Sequence, residues 1–200
     1  IYNLQYGFRP KHSTSHALIN ITEKIREAID GKKVACGTFV DLKKAFDTVN
    51  HNILLTKLHR YGIRGAAYDW FKSYLSSRYQ YVSLLGLDSR MQKIEHGVPQ
   101  GSVLGPLCFL IYINDLPKAI KNSLVYLFAD DTNLLNISYS YASLKKKLNY
   151  NLKGLYLWLL ANKISLNTAK TELIIFRKSG DIIPPSFKVF INGQRLYPIT

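Results

Sequence analysis

Leu124–Val125–Tyr126–Leu127–Phe128–Ala129–Asp130–Asp131–Thr132–Asn133–Leu134–Leu135–Asn136–Ile137 is two apolar runs joined by a short acidic link. Leu124–Phe128 and Asn133–Ile137 read as strands, and residues 129–132 between them as the tight turn of a hairpin. A second run, Val34–Val40, is apolar, rich in β-forming residues and stops on Asp41. Two strand ends that each close on Asp can meet side by side in one sheet. Taken singly, Asp130–Asp131 suits a solvated turn and Asp41 a loop start. Together they form a carboxylate cluster, and carboxylates that repel one another beside apolar strands are raised in pKa unless a cation neutralises them.

Outward from this hairpin the chain alternates helices with short strands. Ala17, Ile21, Ile25 and Ala28/Ile29 recur at helical spacing, with Ser13 or Ser15 to cap the start and Gly31 after the end. Ile53–Leu55, Leu58 and Tyr61 predict a helix closed by Gly62, and Ala67, Trp70, Phe71, Tyr74 and Leu75 a second. Tyr79–Leu85 reads as a strand that Gly86 and Asp88–Ser89 turn back towards Lys93–Glu95. The loop Gly97–Val98–Pro99–Gln100–Gly101 precedes an apolar helix from Ser102 to about Leu116. Leu144, Leu148, Leu152, Leu155 and Leu159 give a long amphipathic helix ending near Asn162. Glu172–Phe176 is a strand, and Asn192–Gly193 is a strong hairpin signal between Phe187–Ile191 and Gln194–Tyr197. Strands paired through hairpins and mixed with helices imply an α+β fold with an antiparallel sheet.

The composition narrows the partner. Among 200 residues, 27 Lys and Arg face 13 Asp and Glu, for a net charge of +14. A surplus of that size favours a polyanion, nucleic acid or an anionic membrane surface. The longest apolar run, Val103–Ile113, contains Gly105 and Pro106 and is too short to span a bilayer, and no basic amphipathic anchor accompanies it, so a membrane partner drops out. Cys36 and Cys108 stand far apart without CxxC spacing. They read as two reduced, buried thiols of an intracellular protein rather than a zinc site or disulfide frame. Against that basic background, an acidic cluster suits two magnesium ions with oxygen ligands, and two metals can stabilise both oxygens of an in-line phosphoryl displacement. Polymerase and nuclease chemistry both fit.

The order of the remaining blocks resembles a known family. Phe39–Val40–Asp41–Leu42–Lys43–Lys44–Ala45–Phe46–Asp47 is similar to motif A of reverse transcriptases, His96 to Pro106 to motif B, and Phe128–Ala129–Asp130–Asp131 to motif C. Trp158–Leu159, Asn162, Leu166–Asn167 and Lys170–Thr171 resemble the motif D region. Gln5–Tyr6–Gly7–Phe8–Arg9 resembles the block before motif A, and Ile113–Asn114–Asp115–Leu116–Pro117 is typical of non-LTR, jockey-like retrotransposons. The likeness covers nearly the whole chain.

The resemblance implies an RNA-directed DNA polymerase built as a right-hand palm with part of the fingers over residues 1–178. Residues 179–200 would then be a hairpin approaching the primer-grip region, ahead of the thumb. By the resemblance, Asp41, Asp130 and Asp131 hold two Mg2+ ions (Mn2+ a substitute), with the Leu42 carbonyl as a backbone ligand. Phe46 is the steric gate against a 2′-hydroxyl, Gln100 and Gly101 meet template or incoming nucleotide, Lys170 is the general acid to pyrophosphate, and Arg9 lies near template or nucleotide. Arg78, Lys145–Lys147 and Lys163 are candidates for phosphate contacts, and Tyr79 and Tyr81 read first as strand packing. The implied partners are an RNA template, a DNA primer, dNTPs and the rest of a retrotransposon polyprotein in cis, acting in the nucleus. A start at Ile1 rather than Met suggests a piece of something longer, and such a piece is expected to polymerise poorly by itself. The competing readings are a domesticated nucleic-acid-binding remnant and a two-metal nuclease. The nuclease leaves Phe46 and the Gly–Pro–Gln loop unexplained.

Overall fold

The computed structural model describes residues 1–99 and 101–199. Its centre is a five-stranded sheet whose strands come from distant parts of the chain. In chain order the elements are α1 (Thr14–Asp30), β1 (Val34–Val40), β2 (Leu42–Lys43), α2 (His51–Arg60), α3 (Gly65–Leu75), and the short strands β3 (Tyr79–Gln80), β4 (Ser83–Leu84), β5 (Leu87–Asp88) and β6 (Gln92–Lys93). Then follow α4 (Leu104–Ile113), β7 (Leu124–Phe128), β8 (Asp131–Ser138), α5 (Tyr141–Ala161), β9 (Ser165–Leu166), β10 (Glu172–Phe176), β11 (Val189–Ile191), β12 (Gln194–Leu196) and β13 (Pro198–Ile199). The sheet order is β13-β10-β1-β8-β7. All its pairings are antiparallel except β10 with β13, an addition at one edge that no hairpin signal announces.

Side-chain alternation divides the sheet into two faces. From β1, Val34, Cys36 and Val40 enter the main core, where they meet Val125, Leu127, Leu134 and Leu173 and the inner faces of α2, α4 and α5. Ala35, Tyr126 and Leu135 point the other way and pack beneath α1 through Ala17, Ile21, Ile25 and Ala28. That face is thinner and holds α1 by one stripe. Ser13 caps α1 by accepting from the His16 N–H (3.2 Å), and the Gly31 N–H closes it on the Glu27 carbonyl (3.0 Å). The Leu stripe of α5 is buried along its whole length, with Leu144, Leu148, Leu152, Leu155 and Leu159 at 0–1 % exposure. Both cysteines are free and buried, and burial pushes the Cys36 thiol up to about 12 and that of Cys108 to about 11. The β11–β12 hairpin turns on Asn192 and Gly193, both at positive φ as a type I′ turn requires, and sends Val189, Ile191 and Leu196 into the same core.

Three expectations shift. The Tyr79–Leu85 strand is broken: β3 pairs with β6 and β4 with β5, and the reversal falls at Leu85–Gly86, both at positive φ. Tyr79 and Tyr81 have no sheet face to pack against and are exposed, because this hairpin stands clear of the core with Leu84, Leu85 and Leu87 in solvent. The apolar helix after the Gly–Pro–Gln loop is shorter than expected. It ends at Ile113, and Pro117 continues the chain as a 3₁₀ turn over Leu116–Ala119.

One buried ion pair locks the helices together. Lys57 of α2, 7 % exposed, donates to the Tyr112 carbonyl of α4 and to Asp115 Oδ1, each at 2.6 Å. Trp158 Nε1 of α5 donates to the same carboxylate oxygen at 3.2 Å, and the ammonium lies 4.8 Å from the Trp158 ring. Tyr112 OH in turn donates to the Asn162 carbonyl at the end of α5. Burial lowers the Lys57 pKa, and the Asp115 partner opposes that shift. Removing one member of such a pair leaves the other uncompensated. Lys57→Ala is therefore expected to cost about 3 kcal/mol, a fall of roughly 10 °C in the melting midpoint. Lys57→Met with Asp115→Leu should recover part of it, since an apolar pair of similar volume carries no ion-desolvation penalty, while Trp158 Nε1 loses its acceptor and the Tyr112 carbonyl the Lys57 donor. Thermal unfolding of the two variants checks this.

Candidate active site

The site is assembled by strand register. β1 pairs with β8 from Val34↔Ser138 to Val40↔Thr132, so continuation by one residue sets Asp41 across from Asp131. β7 pairs with β8 from Leu124↔Leu135 to Phe128↔Asp131, which leaves Ala129 and Asp130 as the hairpin's loop. The turn is thus two residues rather than the expected four, and Asp131 is the first residue of β8. The difference arises because Ala129 takes φ +55°, a positive value that closes the reversal within two residues.

Asp41 and Asp130 are half-buried and Asp131 is exposed. The Asp131 carboxyl is raised from its ordinary value, first by partial burial and then by the negative charges of Asp130 and Asp41. Three carboxylates therefore sense one another at the end of the sheet. Asp41 and Asp131 line an open hollow with Phe39, Val40, Asn133 and Lys170. Lys170 is exposed and ends the 3₁₀ turn Thr168–Lys170. That turn is tied to motif A twice: β2 pairs Leu42 with Leu166, and the Asn167 N–H donates to the Asp41 carbonyl at 2.9 Å. An ammonium and two carboxylates thus share one open wall, with Asp130 beside it in the loop.

Hard divalent cations suit this donor set. Mg2+ is usually held by one or two carboxylates, substrate phosphates and waters rather than by an all-protein cage. Among the described residues no three His, Cys, Asp or Glu side chains converge as a ready-made cage. A pair of repelling carboxylates on a solvent-open wall matches that mode in kind. Leu42, the expected backbone ligand, is buried in β2 directly after Asp41.

The Phe46 ring is held on two sides. It stacks on Phe109 of α4 (centroids 4.4 Å, 26° between planes) and meets Phe8 edge-on at 6.4 Å. It lies in a turn after β2, half-buried against the core. Motif B docks on that turn through its backbone: the Val98 N–H donates to the Phe46 carbonyl (2.9 Å) and the Gly97 N–H to the Val49 carbonyl (2.8 Å), while His51 Nε2 lies 2.7 Å from the Gly97 carbonyl oxygen. A concavity beside this junction is lined by Lys44, Asp47, His51, Arg78, His96 and Pro99, among others. Gly101 is exposed at φ +79° with open space where a side chain would stand. Gln100 lies outside the described residues.

Arg9 is engaged within its own segment through one nitrogen. Its Nη1 donates to the carbonyls of Tyr2 (3.0 Å), Gln5 (2.9 Å) and Asn3 (3.4 Å), which folds the N-terminal segment onto itself. A nucleotide contact would use the guanidinium's other edge. Of the basic run, Lys145 and Lys147 donate to the Ser186 and Ile137 carbonyls, so two of its three ammoniums serve the fold. Sequence reading passed over Ser102, whose Oγ accepts from Tyr74 OH (2.9 Å) and from the Gly105 N–H (3.0 Å) at the start of α4. Nor does local spacing single out Gln5 within the block Gln5–Arg9.

Residues 1–189 match the family described as reverse transcriptase (RNA-dependent DNA polymerase). The chain belongs to the reverse transcriptase family. It is 33 % identical over 201 residues to the RNA-directed DNA polymerase from mobile element jockey of Drosophila melanogaster, a match covering 97 % of this chain and 22 % of that protein. The probable RNA-directed DNA polymerase from transposon BS of the same organism is 33 % identical over 174 residues, covering 84 % of this chain and 19 % of that one. The chain thus spans about a fifth of the length of these relatives. Among solved structures, telomerase from Candida albicans superposes with TM-score 0.60 at 16 % identity, over 92 % of this chain and 32 % of that one, a likeness of fold. The reverse transcriptase fold and jockey-like relationship expected from the motifs are borne out. Among the described residues no helix is long and apolar enough to cross a membrane.

The motif A–motif B junction yields a contrast between glycines. A Cβ on Gly97 would stand 2.8 Å from the Asp47 carbonyl oxygen and 3.0 Å from its Cα, at φ +88°, whereas a Cβ on Gly101 meets nothing. Gly97→Ala is expected to destabilise by about 3 kcal/mol, strain plus a backbone clash, and Gly101→Ala by about 1 kcal/mol, the left-handed penalty alone. Thermal or denaturant unfolding of the two variants measures the difference.

Proposed function

We propose that this domain is the catalytic palm, with part of the fingers, of an RNA-directed DNA polymerase that extends a DNA primer on an RNA template with dNTPs. The observation that carries the reading is the meeting of Asp41 and Asp131 across β1 and β8 beside Lys170, in a chain of this family with a +14 charge. Residues 1–178 form the palm and partial fingers, and 179–200 lead towards the primer grip. Asp41, Asp130 and Asp131, with the Leu42 carbonyl, would hold two Mg2+ ions (or Mn2+), which supply charge neutralisation to the attacking 3′-oxygen and the departing pyrophosphate. Lys170 Nζ gives a proton to a pyrophosphate oxygen or neutralises it. The Phe46 ring, stacked on Phe109 and met edge-on by Phe8, is the steric gate against a 2′-hydroxyl. Gln100 and Gly101 meet the incoming nucleotide or template, Arg9 supports them through its free edge, and Lys44 and Arg78 in the neighbouring concavity attract phosphates. The longer parent polyprotein supplies primer grip and thumb in cis and acts in the nucleus, and the isolated fragment extends primers poorly.

RNA-templated primer extension by the full-length parent with Mg2+ tests the centre. Asp130→Asn is expected to lower the extension rate by about two orders of magnitude or more. Extension at the parental rate overturns the reading, and template cleavage without extension replaces it with a nuclease. Phe46→Ala tests the gate. Incorporation of ribonucleotides relative to deoxyribonucleotides should rise roughly tenfold or more, and an unchanged ratio removes Phe46 from sugar selection.

A further inference from the structure

We propose that Gln5 is a positioning residue for the acidic turn: its side-chain oxygen holds the Ala129 N–H and so keeps Asp131 opposite Asp41, with Asp130 beside it in the loop. The inference rests on the reading of that turn as the polymerase centre. Gln5 is 1 % exposed. Its Oε1 accepts from the Gly7 N–H at 2.8 Å and from the Ala129 N–H at 3.1 Å, so two backbone donors fix which end of the amide faces the turn. The segment around it backs the hairpin directly. The Tyr6 N–H donates to the Leu127 carbonyl (2.7 Å) and the Leu127 N–H to the Leu4 carbonyl (2.9 Å), a parallel bridge along β7, the edge strand of the sheet. A Cβ on Gly7 would stand 2.4 Å from Ala129 N, so the backbone here touches the turn with no room to spare.

The turn needs such backing. Ala129 sits at φ +55°, where a side chain is disfavoured, and a residue in that region persists only when its surroundings over-determine it. A buried backbone N–H left without an acceptor would add its desolvation penalty to that strain. Gln5 answers both. The Gln5 Nε2 has no hydrogen-bond partner among the described residues, so the side chain works here through its oxygen. A carboxylate would accept equally well but would add a third negative charge beside Asp130 and Asp131. Neutrality and one well-aimed oxygen are the properties the position selects.

The experiment measures kcat and KM for dNTP in RNA-templated extension by the full-length parent, with the melting midpoint of each variant. Gln5→Met keeps length and apolar stem but removes the acceptor. It is expected to lower kcat at least tenfold with KM for dNTP within about twofold, because the nucleotide pocket is untouched while the carboxylates drift. Adding Ala129→Gly, which adopts positive φ without strain, should restore at least half of the lost kcat. A general packing defect would move KM and kcat together and would not respond to Ala129→Gly. Parental kcat in Gln5→Met, or a loss that Ala129→Gly leaves uncorrected, overturns the inference. Should Gln5→Met prove insoluble, the double variant decides: native melting with kcat still low overturns it, and recovered kcat supports it. Asp130→Asn runs in parallel. Its full activity would overturn the polymerase centre itself, whereas its inactivity beside a fully active Gln5→Met overturns only the role of Gln5.

Discussion

The register of β1 against β8 is the constraint on which the rest depends. Side chains alternate along a strand, so a slip of one residue would exchange the two faces of the sheet. Val34, Cys36 and Val40 would turn from the deep core under α2, α4 and α5 to the shallow one under α1, which has only a stripe of Ala and Ile to receive them. The burial difference between faces therefore holds Val40 opposite Thr132. The same pairing, one residue further on, brings Asp41 opposite Asp131. The carboxylates do not bring themselves together; their mutual repulsion works against it. Hydrophobic burial along seven paired residues does so, and it greatly exceeds what two partly solvated like charges can oppose.

The second consequence of that sheet is the way the sequence blocks interlock. Asp115, in the block after motif B, is held by Lys57 from α2 and Trp158 from the motif D region, while Tyr112 reaches Asn50 and Asn162. Blocks that look like separate signatures are thus one polar network buried between helices. This accounts for Trp158 and Asn162 without assigning them any contact with substrate. It also fixes the end of α5, from which Lys163 and Ile164 lead through β9 back to motif A and on to Lys170.

Much of this was legible because the decisive features are local. The β7–β8 hairpin, the Ser13 cap, the Leu stripe of α5 and the Asn192–Gly193 turn are written in neighbouring residues, where periodicity and turn chemistry act. The misreadings share a different cause. The two-residue turn at Ala129–Asp130 requires a non-glycine residue at positive φ, which local preference argues against. It forms because Gln5, 124 positions away, supplies the acceptor. The break in the Tyr79–Leu85 strand follows from a lack of any layer to cover it, a property of the whole assembly. A further bond that local reading does not reveal is that of Arg9, one nitrogen of which donates to three carbonyls of its own segment.

The positive surplus also acquires a sharper meaning. Lys57, Lys145 and Lys147 are committed to internal carbonyls or carboxylates, so the full excess of +14 is not a uniform shell for nucleic acid. What distinguishes the acidic end of the sheet is local imbalance. Asp131 is raised first by partial burial and then by its like-charged neighbours Asp130 and Asp41, in a hollow that Lys170 shares. A native protein tolerates such frustration where a partner completes the balance. On the proposed reading a compact divalent cation would be that partner, held by carboxylates on a wall where Lys170 is the basic side chain at hand for a phosphate oxygen.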